Sequence, residues 1–180
     1  MKSFKTTGKD GKLTPAYRAA VTGVTAALAI AMSYLESLVP ATSFAPPGVK
    51  AGFSNIVTMF AAAAFGPASA LCVAVIKSLF VFLTRGVTSF IMSVSGGVLS
   101  TLVMSVIIRT TKKSPGWVGI SVLSACAHNM AQLAAASLLA GGDLFRSYAS
   151  FLLLFGAASG VLTGVLLAAV MPALTRVRGA

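Results

Sequence analysis

The stretch ASALCVAVIKSLFVFL, Ala68–Leu83, is apolar except for two serines and a single Lys77 near its middle. It reads as a membrane-spanning helix. A lysine at the centre of such a helix costs about 2.5–3.5 kcal/mol or more, and residues of this kind usually face a bundle interior or a ligand path. Few acids are present to neutralise it, because Asp10, Glu36 and Asp143 are all the chain has. The fold and the function both turn on what Lys77 faces.

Working outward from this helix, the rest of the chain has the same character. Of 180 residues, 57% are hydrophobic and 9% charged, and the mean hydropathy is +0.92. A soluble domain carries about 25% charged residues. Apolar segments recur over 17–39, 52–65, 68–83, 87–108, 117–140 and 148–174. They predict an all-α, polytopic membrane protein of six transmembrane helices. The second segment is short for a span and ends at Gly66-Pro67. No small-residue cleavage site follows a short apolar core, so the first segment reads as a retained helix rather than a signal peptide. The expected organisation is a basic cytoplasmic arm over 1–16, one transmembrane domain over 17–175, and a short cytoplasmic tail over 176–180. No second domain and no internal repeat stand out.

The net charge is +11, from 14 Lys and Arg against 3 acids. On a soluble protein this would point to nucleic acid. Here the charge is sorted by side instead. Lys2, Lys5, Lys9, Lys12, Arg18, Arg109, Lys112, Lys113, Arg176 and Arg178 fall in segments on one side, against Lys50, Arg85 and Arg146 on the other. The positive-inside rule then places both termini in the cytoplasm of a bacterial-type cell membrane. Cys72 and Cys126 each lie inside an apolar run and read as small hydrophobes, not as disulfide or metal ligands.

Lipid tails supply no hydrophobic drive between helices, so close packing needs small residues. Gly156, Gly160 and Gly164 recur at four-residue spacing, continued by Ala168. Ser93, Gly97 and Thr101 do the same in the fourth segment, and Ala19, Gly23, Ala27 and Ala31 in the first. Packing within the bundle is the default reading of each stripe. The first stripe, beside the basic arm, is also the best candidate for docking a partner membrane protein.

The polar residues within spans cluster by depth. Glu36, Lys50, Asn55, Lys77, Arg85, His128, Asn129 and Gln132 fall towards the extracytoplasmic half and can face one outward-open cavity. Lys50, Lys77 and Arg85 outnumber Glu36, and the start of the second helix at Gly52 and Ser54 adds backbone N–H donors. The site suits an anion, with a phosphate or diphosphate as the natural expectation. Phe80, Phe82 and Phe90 offer a place for a flat or greasy remainder. Other readings stand beside this one: Lys77 paired with Glu36 or snorkelling, His128 bonded to a neighbouring helix, and Lys50 and Arg85 as interfacial anchors.

The loop motif Pro47-Gly48-Val49-Lys50-Ala51-Gly52-Phe53-Ser54-Asn55 and the helix motif His128-Asn129-Met130-Ala131-Gln132 resemble the Gx transporter family, often labelled heptaprenyl diphosphate synthase component I. That family is similar to the substrate-binding S components of energy-coupling factor transporters. The resemblance implies a six-helix bundle that binds a vitamin from outside. It also implies that an Ala-x-x-x-Ala face of the first helix docks a transmembrane coupling subunit. Ala16/Ala20 and Ala27/Ala31 match strictly, and Ala19, Gly23 and Ala27 loosely, so the docking face stays open between them.

The leading expectation is a substrate-binding membrane subunit that moves a small anionic or amphipathic metabolite with ATPase partners. A flavin or another phosphorylated vitamin comes first, and a polyprenyl or quinone precursor second. The alternative is a non-catalytic membrane subunit of a polyprenyl diphosphate synthase. The chain does not read as an enzyme. Its acids are too scattered for a Mg²⁺-diphosphate site, and it has no G-x-x-x-x-G-K-[ST] nucleotide loop. No cofactor, metal or nucleic-acid partner is expected, and membrane lipid is.

Overall fold

The computed structural model describes residues 14–38, 52–110, 116–141 and 144–179. Lys50, the loop over 39–51, the basic arm up to Leu13, and Lys112 and Lys113 lie outside the described residues. The described chain is all helical: α1 (Pro15–Leu38), α2 (Phe53–Phe65), α3 (Pro67–Thr110), α4 (Trp117–Ala140) and α5 (Leu144–Gly179).

The boundaries follow from local chemistry. Pro15 opens α1, where its missing N–H costs nothing, and Thr14 Oγ1 accepts a hydrogen bond from the Tyr17 N–H at 3.3 Å. Gly66, at φ 91°, closes α2 by donating its N–H to Ala62 O at 3.1 Å. Pro67 then begins α3. The sequence reading breaks the next helical stretch in two, and α3 is indeed two helices meeting at a sharp kink at Gly86, with φ 80° and ψ −176°. That conformation belongs essentially to glycine. The two arms of α3, 67–85 and 87–110, fold back on each other. Ser78 Oγ meets Ser93 Oγ at 3.0 Å, and the Phe82 and Phe90 rings pack edge-on at 5.6 Å. α5 also exceeds its expected span and begins at Leu144 rather than Tyr148.

Four helices, α1, α3, α4 and α5, are long and apolar enough to cross a membrane. The fifth, α2, has 13 residues, or about 20 Å of helix, too short for a hydrocarbon core of about 30 Å. It is held inside the bundle by α1, α3 and α5, with Ala61 and Met59 buried. All six expected segments are helical, and among the described residues they make up four candidate spanning helices, one of them a pair doubled back at Gly86, around a short buried one. Large apolar side chains such as Leu83, Leu138 and Leu154 cover the outside, as a helical membrane protein requires.

The α4–α5 contact is set by glycine. A Cβ on Gly160 would lie 2.5 Å from Val122 Cα, and one on Gly164 would lie 2.6 Å from Val118 Cα. The stripe beginning at Gly156 is thus a packing seam within the chain, and Ala168 points out of it. Ser93, Gly97 and Thr101 are buried as well, with Gly97 facing Ala74. The α1 stripe behaves oppositely. Ala16, Ala19, Ala20, Gly23, Ala27 and Ala31 are all exposed, on the face away from buried Thr25, Ala29, Ser33 and Glu36.

This contrast gives a paired prediction. Gly160→Ala is expected to destabilise the bundle by about 1–3 kcal/mol through overpacking. Gly23→Ala meets open space and is expected to be neutral or stabilising, since alanine is the better helix former. Thermal unfolding of the two detergent-solubilised variants checks the order.

Candidate functional site

The site begins where α1 ends and α2 begins. Glu36, near the C-terminal end of α1, reaches the first turn of α2. Its Oε1 accepts from the Ser54 N–H at 3.3 Å, and its Oε2 accepts from Ser54 Oγ, also at 3.3 Å. A carboxylate suits this place, because the first turn of a helix carries unpaired N–H groups and a partial positive charge. Gly52, at φ 84°, sets the entry of the chain into that turn.

Lys77 approaches the same turn from α3. Its Nζ donates to Ser54 Oγ and to Asn55 Oδ1, each at 3.3 Å. Ser54 therefore relays between the two charges, accepting from the ammonium and donating to the carboxylate. Lys77 is only 4% exposed, about ten residues into α3, so a lone charge there would be costly. Of the rival readings, the pairing of Lys77 with Glu36 is present, and it is bridged by the Ser54 hydroxyl. The anion-accepting start of α2 is already served by Glu36.

The second half of the site comes from α4. His128 Nδ1 lies 3.4 Å from Ser100 Oγ. His128 and Gln132 both press on Gly96, where a Cβ would come within 2.9 Å of the ring and 2.8 Å of the Gln132 side chain. Asn129 turns the other way and donates from Nδ2 to Leu152 O on α5 at 3.1 Å. It sits against Gly156, where a Cβ would lie 2.9 Å from its amide nitrogen. Gly96 and Gly156 thus make room on either side of α4 for side chains larger than serine.

These groups line one cavity of about 90 Å³ at the end of the bundle where α3 bends. Its wall includes Glu36, Asn55, Lys77, Arg85, His128, Asn129 and Gln132, all named from the sequence. Lys50 lies outside the described residues. Arg85 is exposed and stands at the rim, next to the Gly86 bend. Phe80, Phe82 and Phe90 do not line the cavity; Phe82 is 42% exposed on the outer surface. Among the described residues, no three His, Cys, Asp or Glu side chains come together.

Sequence reasoning missed the hydroxyl wall. Ser33, Ser89, Ser93, Ser121, Ser124, Ser159 and Thr163 line the same cavity. Serine in an apolar helix usually bonds its own backbone and passes as a packing residue. The available signal was periodicity: Ser121, Ser124, His128 and Gln132 follow one another at helical spacing on one face of α4.

Residues 25–170 match a family model described as heptaprenyl diphosphate synthase component I. No curated protein and no solved structure matches the chain.

The relay through Ser54 predicts strong coupling. Glu36→Ala leaves a buried ammonium and an uncapped helix start, and is expected to cost on the order of 3 kcal/mol. Lys77→Met removes the charge and keeps the volume. The double variant is expected to be more stable than the sum of the two losses implies, and a double-mutant cycle on thermal unfolding measures the difference.

Proposed function

The chain belongs to the heptaprenyl diphosphate synthase component I family, and on that premise we propose that it is a membrane-embedded binding subunit for a small anionic metabolite. The observation that carries this reading is the burial of Lys77 in a cavity whose rim bears a second cation, Arg85. Among the described residues Glu36 is the one carboxylate in that wall, and both its oxygens are engaged at the start of α2. The wall therefore keeps a positive excess that an entering anion would balance. Intramembrane ionisable residues facing a cavity are functional-site candidates on physical grounds.

The orientation proposed is the one the charge distribution favours. The cavity end faces outside, both termini face the cytoplasm, and the two arms of α3 each cross the membrane. The chain supplies neither a nucleotide loop nor a carboxylate cluster, so the energy for transport would come from partner ATPases. The exposed face of α1, from Ala16 to Ala31, is the proposed seat of a transmembrane coupling subunit. Small residues there let a partner backbone approach closely. A flavin fits this reading less well than a smaller anion, since about 90 Å³ is well below the 300–1,000 Å³ of pockets that enclose drug-sized ligands.

A second reading rests on the family description itself: a non-catalytic membrane component that works beside a prenyl diphosphate synthase. Co-purification separates the two, with coupling ATPases expected under the first reading and a prenyl synthase under the second.

Two outcomes are expected. Native mass spectrometry of the purified chain should show a co-purified small anion. Lys77→Ala and Asn55→Ala should weaken its binding about tenfold or more while the protein stays folded; unchanged affinity in both variants defeats the site. Separately, Ala20→Leu with Ala27→Leu should weaken association with the coupling subunit and leave ligand affinity unchanged, as measured by pull-down beside a binding titration.

A further inference from the structure

The cavity does not end at Lys77. It continues past His128 to Ser121 on α4 and Thr163 on α5. From Gln132 to Ser121 the lining spans twelve residues of α4, about 16 Å along the helix axis. A volume of about 90 Å³ between those ends makes it a small slot. Among the described residues no aromatic ring lines it, although ligand pockets are usually rich in apolar and aromatic side chains.

Three hydroxyls of its deep part donate to helix carbonyls. Ser124 Oγ donates to Ser100 O at 3.1 Å, and Ser159 Oγ donates to Gly156 O at 3.2 Å. Thr163 Oγ1 donates to Ser159 O at 2.9 Å and shares a 2.7 Å hydrogen bond with Ser121, in which either hydroxyl can be the donor. Ser78 Oγ donates to Ala74 O at 2.9 Å and shares a 3.0 Å hydrogen bond with Ser93, in which either hydroxyl can be the donor. A hydroxyl has one proton and two lone pairs. Where the protons turn into the helices, the wall offers lone pairs to whatever occupies the slot.

We propose that the ligand is a small anion carrying a donor-rich stem, of the class of a phosphorylated or carboxylated polyol, rather than a polyprenyl diphosphate. The anionic group sits between Lys77 and Arg85. The hydroxylated stem runs down the slot and donates to Ser121, Ser124 and Thr163. An isoprenoid tail there would make no hydrogen bond to these oxygens, whereas a hydroxylated stem would. The inference rests on the binding-subunit reading above and narrows its substrate class.

The test titrates the full chain in detergent micelles with four probes: inorganic phosphate, ribitol 5-phosphate, inorganic diphosphate and farnesyl diphosphate. Ribitol 5-phosphate is expected to bind about tenfold or more tightly than phosphate. Ser121→Ala with Thr163→Val replaces both members of a hydrogen-bonded pair by groups of similar shape, a change that folded proteins tolerate well. That double variant should lose the gain from the stem and keep phosphate affinity, and Ser124→Ala should lose part of the gain. Farnesyl diphosphate should bind no tighter than inorganic diphosphate. Equal affinity for phosphate and ribitol 5-phosphate, a gain that survives all these substitutions, or tighter binding of farnesyl diphosphate overturns the substrate class. Failure of every probe to bind, or binding indifferent to Lys77→Ala, overturns the cavity reading itself and the inference with it.

Discussion

A buried ammonium in an apolar bundle must be solvated by the protein, and the arrangement around Lys77 meets that requirement. Ser54 and Asn55 accept from its Nζ, and Glu36 supplies the counter-charge through the Ser54 hydroxyl. Because Glu36 also accepts from the Ser54 N–H, the same contact closes the unpaired start of α2. Three helices are thereby held at one point: α1 through Glu36, α2 through Ser54 and Asn55, and α3 through Lys77. The short α2 owes its place in the bundle to this junction as well as to the small residues packed along it, such as Ala61 and Ala62.

The other half of the molecule is organised by absence of side chains. Gly160 and Gly164 bring α5 against the backbone of α4, while Gly156 and Gly96 leave room for Asn129, Gln132 and His128. Close helix contact deeper in the seam and an open, polar slot beside it follow from the same residue type placed at different heights. Van der Waals contact replaces the hydrophobic drive that lipid does not provide. The polar wall is tolerated because its hydroxyl protons are satisfied by helix carbonyls and by each other.

Much of this was legible in the chain. Apolar length and the sorting of charge identify a helical membrane protein, and α4 has the bounds expected for it, 117–140. Seven of the side chains singled out from the sequence share one cavity, because ionisable and amide groups in apolar helices have few other places to go. The break between the third and fourth segments falls where the sequence puts it, because Gly86 takes a non-helical conformation between the two arms of α3. The aromatic wall expected at Phe80, Phe82 and Phe90 was misplaced. Phenylalanine is as well solvated by lipid as by a pocket, so its presence near a site carries no direction.

Sequence alone determined that the chain is helical, lies in a membrane, and carries a costly lysine with few acids to answer it. Those conclusions depend on composition and period, which are properties of the chain read in order. Tertiary structure alone decided that Ser54 stands between Glu36 and Lys77, that the α1 stripe faces outward while the α5 stripe faces α4, and that the serines of α3, α4 and α5 form one wall. Each of these depends on which faces of different helices meet. A serine or glycine has the same local chemistry whether it faces lipid, a neighbour or a cavity, so only the packed bundle assigns it a role.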